Sequence, residues 1–184
     1  MTADLKNEDL EGMYRIIPLQ ILRRTPGVFF DMVPILSMKS MSAVDRVIHE
    51  KGAVSPGPVG PVSRPWYMHQ DQEDHLLVLH GSRHVELYTP DHGQIVSFEV
   101  FPDRLFKDGH SCHEGPAMLM WPRKVFHRIR SHPVDGSASL NFAARYPGYD
   151  VKTNFNIYDL DVQTGAFKVI REGHLDQPDS VNNG

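Results

Sequence analysis

Apolar residues along the chain fall in short runs, interrupted every few positions by proline, glycine or charge, a rhythm that predicts strands and turns rather than long helices. Residues 15–38, RIIPLQILRRTPGVFFDMVPILSM, are cut by Pro18, Pro26-Gly27 and Pro34, which fits edge strands and their connections. One short helix is expected at 43–51. There Ser42 and Asp45 resemble a capping box, and Val44, Val47 and Ile48 fall on one helical face before Gly52. The segment KGAVSPGPVGPVSRP (51–65) carries four prolines and three glycines, which exclude helix and central strand. Only 50 residues precede it, so it reads as an ordered loop leading into the main body rather than a linker between domains.

From Trp66 the pattern is β throughout. WYMH and HLLVLHG read as strands around a polar corner, and HVELYTPDHGQIVSFEVF as a hairpin turning at Pro90-Asp91-His92-Gly93. AMLMWP is a buried strand. VFHRIRS is followed by a turn at Pro133-Val134-Asp135-Gly136 and the strand ASLNFAARY, and a last hairpin, FNIYDL to AFKVIR, turns at Thr164-Gly165. So many short strands predict an all-β sandwich or barrel. Residues 1–50 supply N-terminal strands and the helix, 66–172 the barrel, and the polar stretch from Gly173 to 184 a frayed tail.

Composition narrows the picture. At 184 residues, 40% of them hydrophobic, the chain fills one sizeable core, so 1–184 is expected to be a single domain. A net charge of -4 with scattered Lys and Arg gives no surface for phosphate backbones, and nucleic acid is not an expected partner. Cys112 is the only cysteine, which excludes an internal disulfide. The opening MTADLKNEDLEGMYRIIPLQ carries acidic residues where a secretory signal has basic and apolar ones, and no apolar run approaches the roughly 20 residues that cross a bilayer. A cytoplasmic protein without a membrane partner is expected.

Candidate chemistry sits in two places. In His69-Gln-Asp71-Gln-Glu-Asp-His75, positions i and i+2 of a strand share a face, so His69 and Asp71 can aim together into a barrel, and His75 opens the next strand. In GPAMLMWPRKVFH (115–127) an apolar strand ends in a proline turn that delivers His127. Imidazole and carboxylate together suit a divalent transition metal such as Fe, Mn, Ni or Zn, with positions left open for a small-molecule substrate.

These residues resemble the two motifs of the cupin superfamily. The first runs His-x-His, three or four residues, Glu, a strand and Gly; here it is matched by His69-x-Asp71, His75 and Gly81. The second runs Gly, a strand, Pro-x-Gly and His; here it is matched by Gly115, Pro122 and His127, with Lys124 at the turn glycine. The resemblance covers about residues 66–130. It implies a double-stranded β-helix (jelly-roll, cupin-like) barrel with one or two short helices, and His69, Asp71, His75 and His127 as metal ligands. Asp71 stands where the family has its second His and His75 where it has Glu. Counting back from Gly81 instead puts Asp74 in the Glu position, a one-residue change that flips the side chain to the other face.

Other likenesses imply other chemistry. His69, Asp71 and His127 are similar to the triad of the Fe(II)/2-oxoglutarate oxygenases, although Arg128 and Arg130 follow His127 too closely to hold the oxoglutarate carboxylate. His69, Glu73 or Asp74, and His127 are similar to the iron ligands of small cupin aromatic-ring dioxygenases. In the metal-free deoxysugar epimerases and ketoisomerases of the same superfamily, a His base with a Tyr or second His moves protons beside a carbonyl. Arg64 to His69 resembles their Arg…His strand, with His75 near their Lys, Tyr67, Tyr88 or Tyr146 as possible acids, and Arg64, Arg83 and Arg145 as candidates for gripping phosphate. A barrel that binds a ligand without catalysis is a further reading.

Simpler roles are expected elsewhere. His49, His84, His92, His132 and His174 read as solvated, GHSCHEG (109–115) as a surface loop, and Trp66, Trp121, Phe126 and Phe142 as barrel filling. Leu77, Leu79, Met118, Met120 and Phe142 are expected to line the substrate cavity. HLLVLH, AMLMWP and the 15–38 strands are apolar on successive positions, which a one-sided sheet does not require, and a homodimer covering them is expected.

Overall fold

The computed structural model of the protein describes residues 9–179. Its N-terminal part holds β1 (Arg15–Pro18), β2 (Gln20–Thr25), β3 (Val28–Met32), β4 (Ala43–His49) and β5 (Val54–Ser55). There follow β6 (Trp66–Met68), β7 (Gln72–Gly81), β8 (Arg83–Tyr88), β9 (Val96–Val100), β10 (Arg104–Lys107) and β11 (His110–Glu114). Then come β12 (Ala117–Trp121), β13 (Phe126–Ser131), β14 (Ser137–Arg145), the single-turn helix α1 (Val151–Asn154), β15 (Ile157–Leu160) and β16 (Phe167–Arg171). No helix among the described residues is long and apolar enough to cross a membrane.

Pairing is antiparallel. A five-stranded sheet, β1-β12-β7-β14-β4, faces a nine-stranded one, β11-β10-β9-β8-β13-β6-β15-β16 with β5 beside β13. The fold is the expected all-β jelly roll. Between the sheets lie Leu76 and Val78 of β7, Leu119 and Trp121 of β12, Val85 and Leu87 of β8, and Phe98 of β9. Both sheets are also covered on their outer faces. Leu77, Met118 and Met120 pack with Ile17 and, at their margin, Leu19, Val33 and Met38 of the N-terminal segment. On the other side Trp66, Met68, Tyr88 and Phe126 pack with Tyr158 and Leu160.

This two-sided burial corrects the expected cavity lining. Leu77, Met118, Met120 and Phe142 face the outer layer, and Leu79 is 53% exposed; their neighbours one residue away face the barrel. Trp121 fills the barrel as expected, whereas Trp66 and Phe126 belong to an outer cluster.

The helix expected at 43–51 is instead strand β4, paired along its whole length with β14. Ala43, Asp45, Val47 and His49 are half-buried while Val44, Arg46 and Ile48 are exposed, a strict period of two. Val44, Val47 and Ile48 fit helical spacing by coincidence, and the open edge of β14 decided between the two periods. The loop expected at 109–115 is β11, which closes a hairpin with β10. At the expected frayed tail, Gly173–Asp176 form a 3-10 turn, held by the Gly173 N–H donating to Asn156 Oδ1 at 2.8 Å. The last five residues of that tail lie outside the described residues.

Gly81, the glycine that ends the first motif, is needed where it stands. Its φ is +67°, and a Cβ there would lie 2.0 Å from the Gly136 carbonyl oxygen, so only glycine allows β7 to cross the Pro133–Gly136 turn. The N-terminal strands form as expected, but the β2–β3 hairpin and the turn after it leave Phe29, Phe30 and Leu36 exposed, at 74%, 53% and 103%.

Candidate functional site

Three ionisable side chains meet between the sheets: His69, Asp74 and His127, with one potential ligand atom from each within 4.8 Å of the others and all three buried. Asp74 comes from β7 of the five-stranded sheet, paired with Trp121 and Ala143. His69 directly follows β6, and His127 opens the facing part of β13, opposite Leu87 and Tyr67. The turn that delivers His127 is fastened to the strand that delivers His69, because the Lys124 N–H donates to the His69 carbonyl at 2.7 Å. Lys124 takes φ +67°, so the left-handed turn exists although glycine is absent from it.

The hydrogen bonds orient the two rings. His69 Nδ1 contacts the Asn154 carbonyl and its Nε2 lies 3.3 Å from Asp74 Oδ2, so both ring nitrogens face acceptors. A carbonyl on one side and a carboxylate on the other thus fix the orientation of the His69 ring. His127 Nδ1 contacts the Val125 carbonyl at 3.1 Å, which leaves Nε2 with a lone pair. Burial, with the neighbouring His69 adding to it, pushes His127 down to about 4 despite the opposing pull of Asp74. Burial raises Asp74, but His69, His127 and the amides of Asn141 and Gln72 together outweigh it and hold the carboxyl below its usual range. The site thus sets a neutral His127 beside a His69 that faces the Asp74 carboxylate, with the His69 and His127 ring centroids 4.8 Å apart.

A buried polar layer holds this arrangement. Asp74 Oδ1 accepts from Asn141 Nδ2 at 2.7 Å and from Gln72 Nε2 at 2.8 Å, and Asn154 Nδ2 donates to Gln72 Oε1 at 3.3 Å. Asn154 therefore orients both halves of the pair. It ends α1, whose first turn is capped when the Asp150 carboxylate accepts from the Lys152 N–H at 2.9 Å. Trp121, Phe155 and Tyr67 surround the two rings and exclude bulk water. A cavity of about 220 Å³ opens beside the cluster.

The structure separates the four expected metal ligands. His69 and His127 meet, but Asp71 lies outside, 3.6 Å from Arg123 through its carboxylate, and its carbonyl accepts from the Tyr146 N–H. His75 points to the outer face, with Nδ1 3.0 Å from the Phe142 carbonyl and Nε2 3.5 Å from Glu73 Oε1; burial lowers its pKa. Asp74 takes the carboxylate place, as counting back from Gly81 allows. Glu73 shares the outer face, bound to Lys39 at 3.0 Å and to Tyr146 at 3.2 Å.

Of the possible acids, Tyr67 lines the cavity, whereas Tyr88 hydroxyl donates to the Val162 carbonyl outside it. Sequence reading missed Gln72, Asn141 and Asn154, whose only signal was amide chemistry inside apolar strands and the Asp150 cap. It also read His49 as solvated, yet His49 lines the cavity with Nδ1 buried and unpartnered.

No protein-family model and no curated protein match the chain. Solved structures do resemble it. One is a sugar 3,4-ketoisomerase from Thermoanaerobacterium thermosaccharolyticum in complex with TDP, at 15% identity over 77% of this chain and 85% of that one, TM-score 0.50. A dTDP sugar isomerase from Desulfovibrio desulfuricans G20 aligns at 14% identity over 75% of this chain and 85% of that one, TM-score 0.53. A TDP-quinovose 3,4-ketoisomerase from Campylobacter jejuni aligns at 13% identity over 77% and 90%, TM-score 0.50. At such identities the likeness is one of fold, and it agrees with the cupin-like jelly roll.

The depressed His127 and His49, both near 4, set an acid limit on stability. Each is neutral in the folded chain and protonated when unfolded between about 6.5 and about 4, so their contribution is intact above 6.5 and is lost as pH falls through that window. Thermal melts from pH 7.5 to 4.5 should show a falling midpoint, and His127→Gln should flatten the fall. An unchanged slope in His127→Gln would show that His127 is not held neutral.

Proposed function

We propose that the protein is an isomerase that moves a proton beside the carbonyl of a small hydroxy-ketone, using His127 as base and the His69–Asp74 pair as acid. The observation that carries the reading is the unequal set of partners around two adjacent histidines: His127 meets a carbonyl at Nδ1 only, and His69 faces an acceptor at each nitrogen. His127 Nε2 removes the proton from the carbinol carbon, the C–H electron pair forms the C=C bond, and the carbonyl oxygen takes a proton from His69 Nε2, giving an enediol. Reversal at the neighbouring carbon returns both protons and yields the isomeric hydroxy-ketone, with no atom gained or lost. Asp74 stays anionic and steadies whichever imidazole is charged. The structural resemblance to sugar isomerases supports this direction, and one of those enzymes is known in complex with TDP-4-keto-6-deoxyglucose.

A second reading follows from the same three groups. Two histidines and one carboxylate within 4.8 Å suit a divalent transition metal, Fe, Mn, Ni or Zn, that leaves positions open for substrate. In that case His69 Nε2 and Asp74 Oδ2 face a cation instead of sharing a proton.

The exposed apolar hairpin of β2 and β3 supports the expected homodimer as part of the proposal, since Phe29 and Phe30 remain 74% and 53% exposed among the described residues. Sedimentation at micromolar concentration should give twice the mass of one chain, and Phe29→Ser with Phe30→Ser should return the monomer; a monomeric wild type removes the dimer.

Solvent-exchange measurements test the activity. Incubated in D2O with TDP-4-keto-6-deoxyglucose and with a panel of smaller hydroxy-ketones, the chelator-treated protein should place deuterium on carbon beside the carbonyl of at least one substrate. His127→Asn should slow this by about 100-fold or more. Exchange that vanishes on chelation and returns with one of the four metals replaces the proton-pair reading by the metal one; absence of exchange with every substrate overturns both as isomerase mechanisms.

A further inference from the structure

The cavity beside the histidines has a second charged wall. Arg83, at the start of β8, is 3% exposed and lines the same cavity as His69, Asp74 and His127. Its Nε donates to Ser137 Oγ at 3.1 Å and its Nη2 to the Val47 carbonyl at 3.4 Å; no carboxylate stands within ion-pair distance of it among the described residues. A guanidinium carries five donors and is the side chain best suited to gripping a carboxylate or phosphate. Burying it without an anion is costly, and burial alone lowers its pKa to about 10. The other two arginines considered for anion binding are engaged elsewhere. Arg64 shares Glu86 with Arg128, and Arg145 lies over the Tyr149 ring.

Further groups along the cavity wait for partners. Among the described residues, His49 Nδ1, the Trp121 indole N–H and Asn141 Oδ1 are buried without hydrogen bonds, and all three residues line it. Trp121 is itself 4% exposed. Register arranges the charges. Arg83 pairs with Ser131 and Leu87 with His127, so the cationic end lies four residues along β13 from the histidines, about 13 Å at ~3.3 Å per residue, a gap partly spanned by the arginine itself. Asp45 and Asp74, both beside Asn141, lie toward the histidine end. Arg83 thus stands at one end of the cavity and the carboxylates of Asp45 and Asp74 with the two histidines at the other, which orients a substrate that has one anionic group and one uncharged reacting group.

We infer that Arg83, with His49 beside it, forms an anion subsite that holds a carboxylate or phosphate carried by the reacting molecule itself, with its hydroxy-carbonyl end at His69, Asp74 and His127. A volume of about 220 Å³ fits such a compact acid and lies below the ~300–1,000 Å³ common for drug-sized ligands. The inference deepens the proposed isomerase reading by naming its substrate class, and it can be tested without catalysis.

The experiment is titration of the full-length protein at pH 7.5 with inorganic phosphate and, separately, with glycolate, followed by calorimetry and by the imidazole resonances of His49. Saturable one-to-one binding of either probe is expected, phosphate indicating a phosphorylated substrate and glycolate a carboxylated one. Arg83→Gln should weaken it about tenfold or more, and Arg83→Lys less, because charge survives without the fork. Asp71→Asn, outside the cavity, should change nothing. Where Arg83→Gln fails to fold, Arg83→Met, which keeps an apolar stem of similar length, serves in its place. Wild-type protein that binds neither anion, or Arg83 variants that bind as tightly as wild type, overturns the subsite. Anion binding without deuterium exchange leaves the subsite standing and removes the isomerase reading, so the two failures are distinguishable.

Discussion

Every residue of β7 from Gln72 to Val78 is buried, because both faces of its sheet are covered, and strand geometry sends alternate side chains to opposite sides. That constraint decides the chemistry of the molecule. Gln72, Asp74, Leu76 and Val78 are committed to the barrel; Glu73, His75 and Leu77 are committed to the layer under the N-terminal segment. Two buried ionisable groups, Asp74 and Glu73, are adjacent in sequence yet belong to separate networks, one with His69 and the other with Lys39 and Tyr146. Slipping the strand by one residue would exchange them and leave each without its partner.

The Asp74 carboxylate is also where the two sheets meet chemically. It belongs to one sheet, and the histidines it faces belong to the other, so the charge pair forms only when the jelly roll is closed. Gln72, Asn141 and Asn154 satisfy the remaining acceptor and donor positions, which is what lets an ion pair persist in a water-poor interior. Removing one member of such a pair typically costs about 3–5 kcal/mol, so the same residues that define the site also contribute to the stability of the closed barrel. Arg83 differs: its hydrogen bonds reach Ser137 and a backbone carbonyl but no anion, which is why a ligand accounts for it better than the fold does.

Much of this is legible in the sequence. Turn residues and short apolar runs gave the strands from Trp66 onward, and the place of Gly81 and the Pro122 turn located His69 and His127. What the sequence could not supply was parity. HLLVLH and AMLMWP are apolar at every position, so alternation gives no sign of which set faces inward, and the expected lining of Leu77, Leu79, Met118 and Met120 was displaced by one residue. The same displacement set His75 in place of Asp74, whereas Asp71 was misplaced because residues 69–71 form the bend between β6 and β7, where strand alternation does not hold. β4 was lost because its three apolar residues match helical spacing and split between the two faces of the strand, which only its pairing with β14 imposes. The supporting amides were illegible because their role depends on α1 folding back over the barrel mouth, a contact with no local signature beyond the Asp150 cap.

The proposed chemistry depends on a His127 held neutral by burial beside His69 and Asp74. Nitrogen-15 NMR of the imidazole rings in chelator-treated protein at pH 7 measures this directly. The expected result is a His127 that is neutral, protonated at Nδ1 only, and stays so until the pH approaches 4. A His127 that takes up its second proton near 6.5 would contradict it.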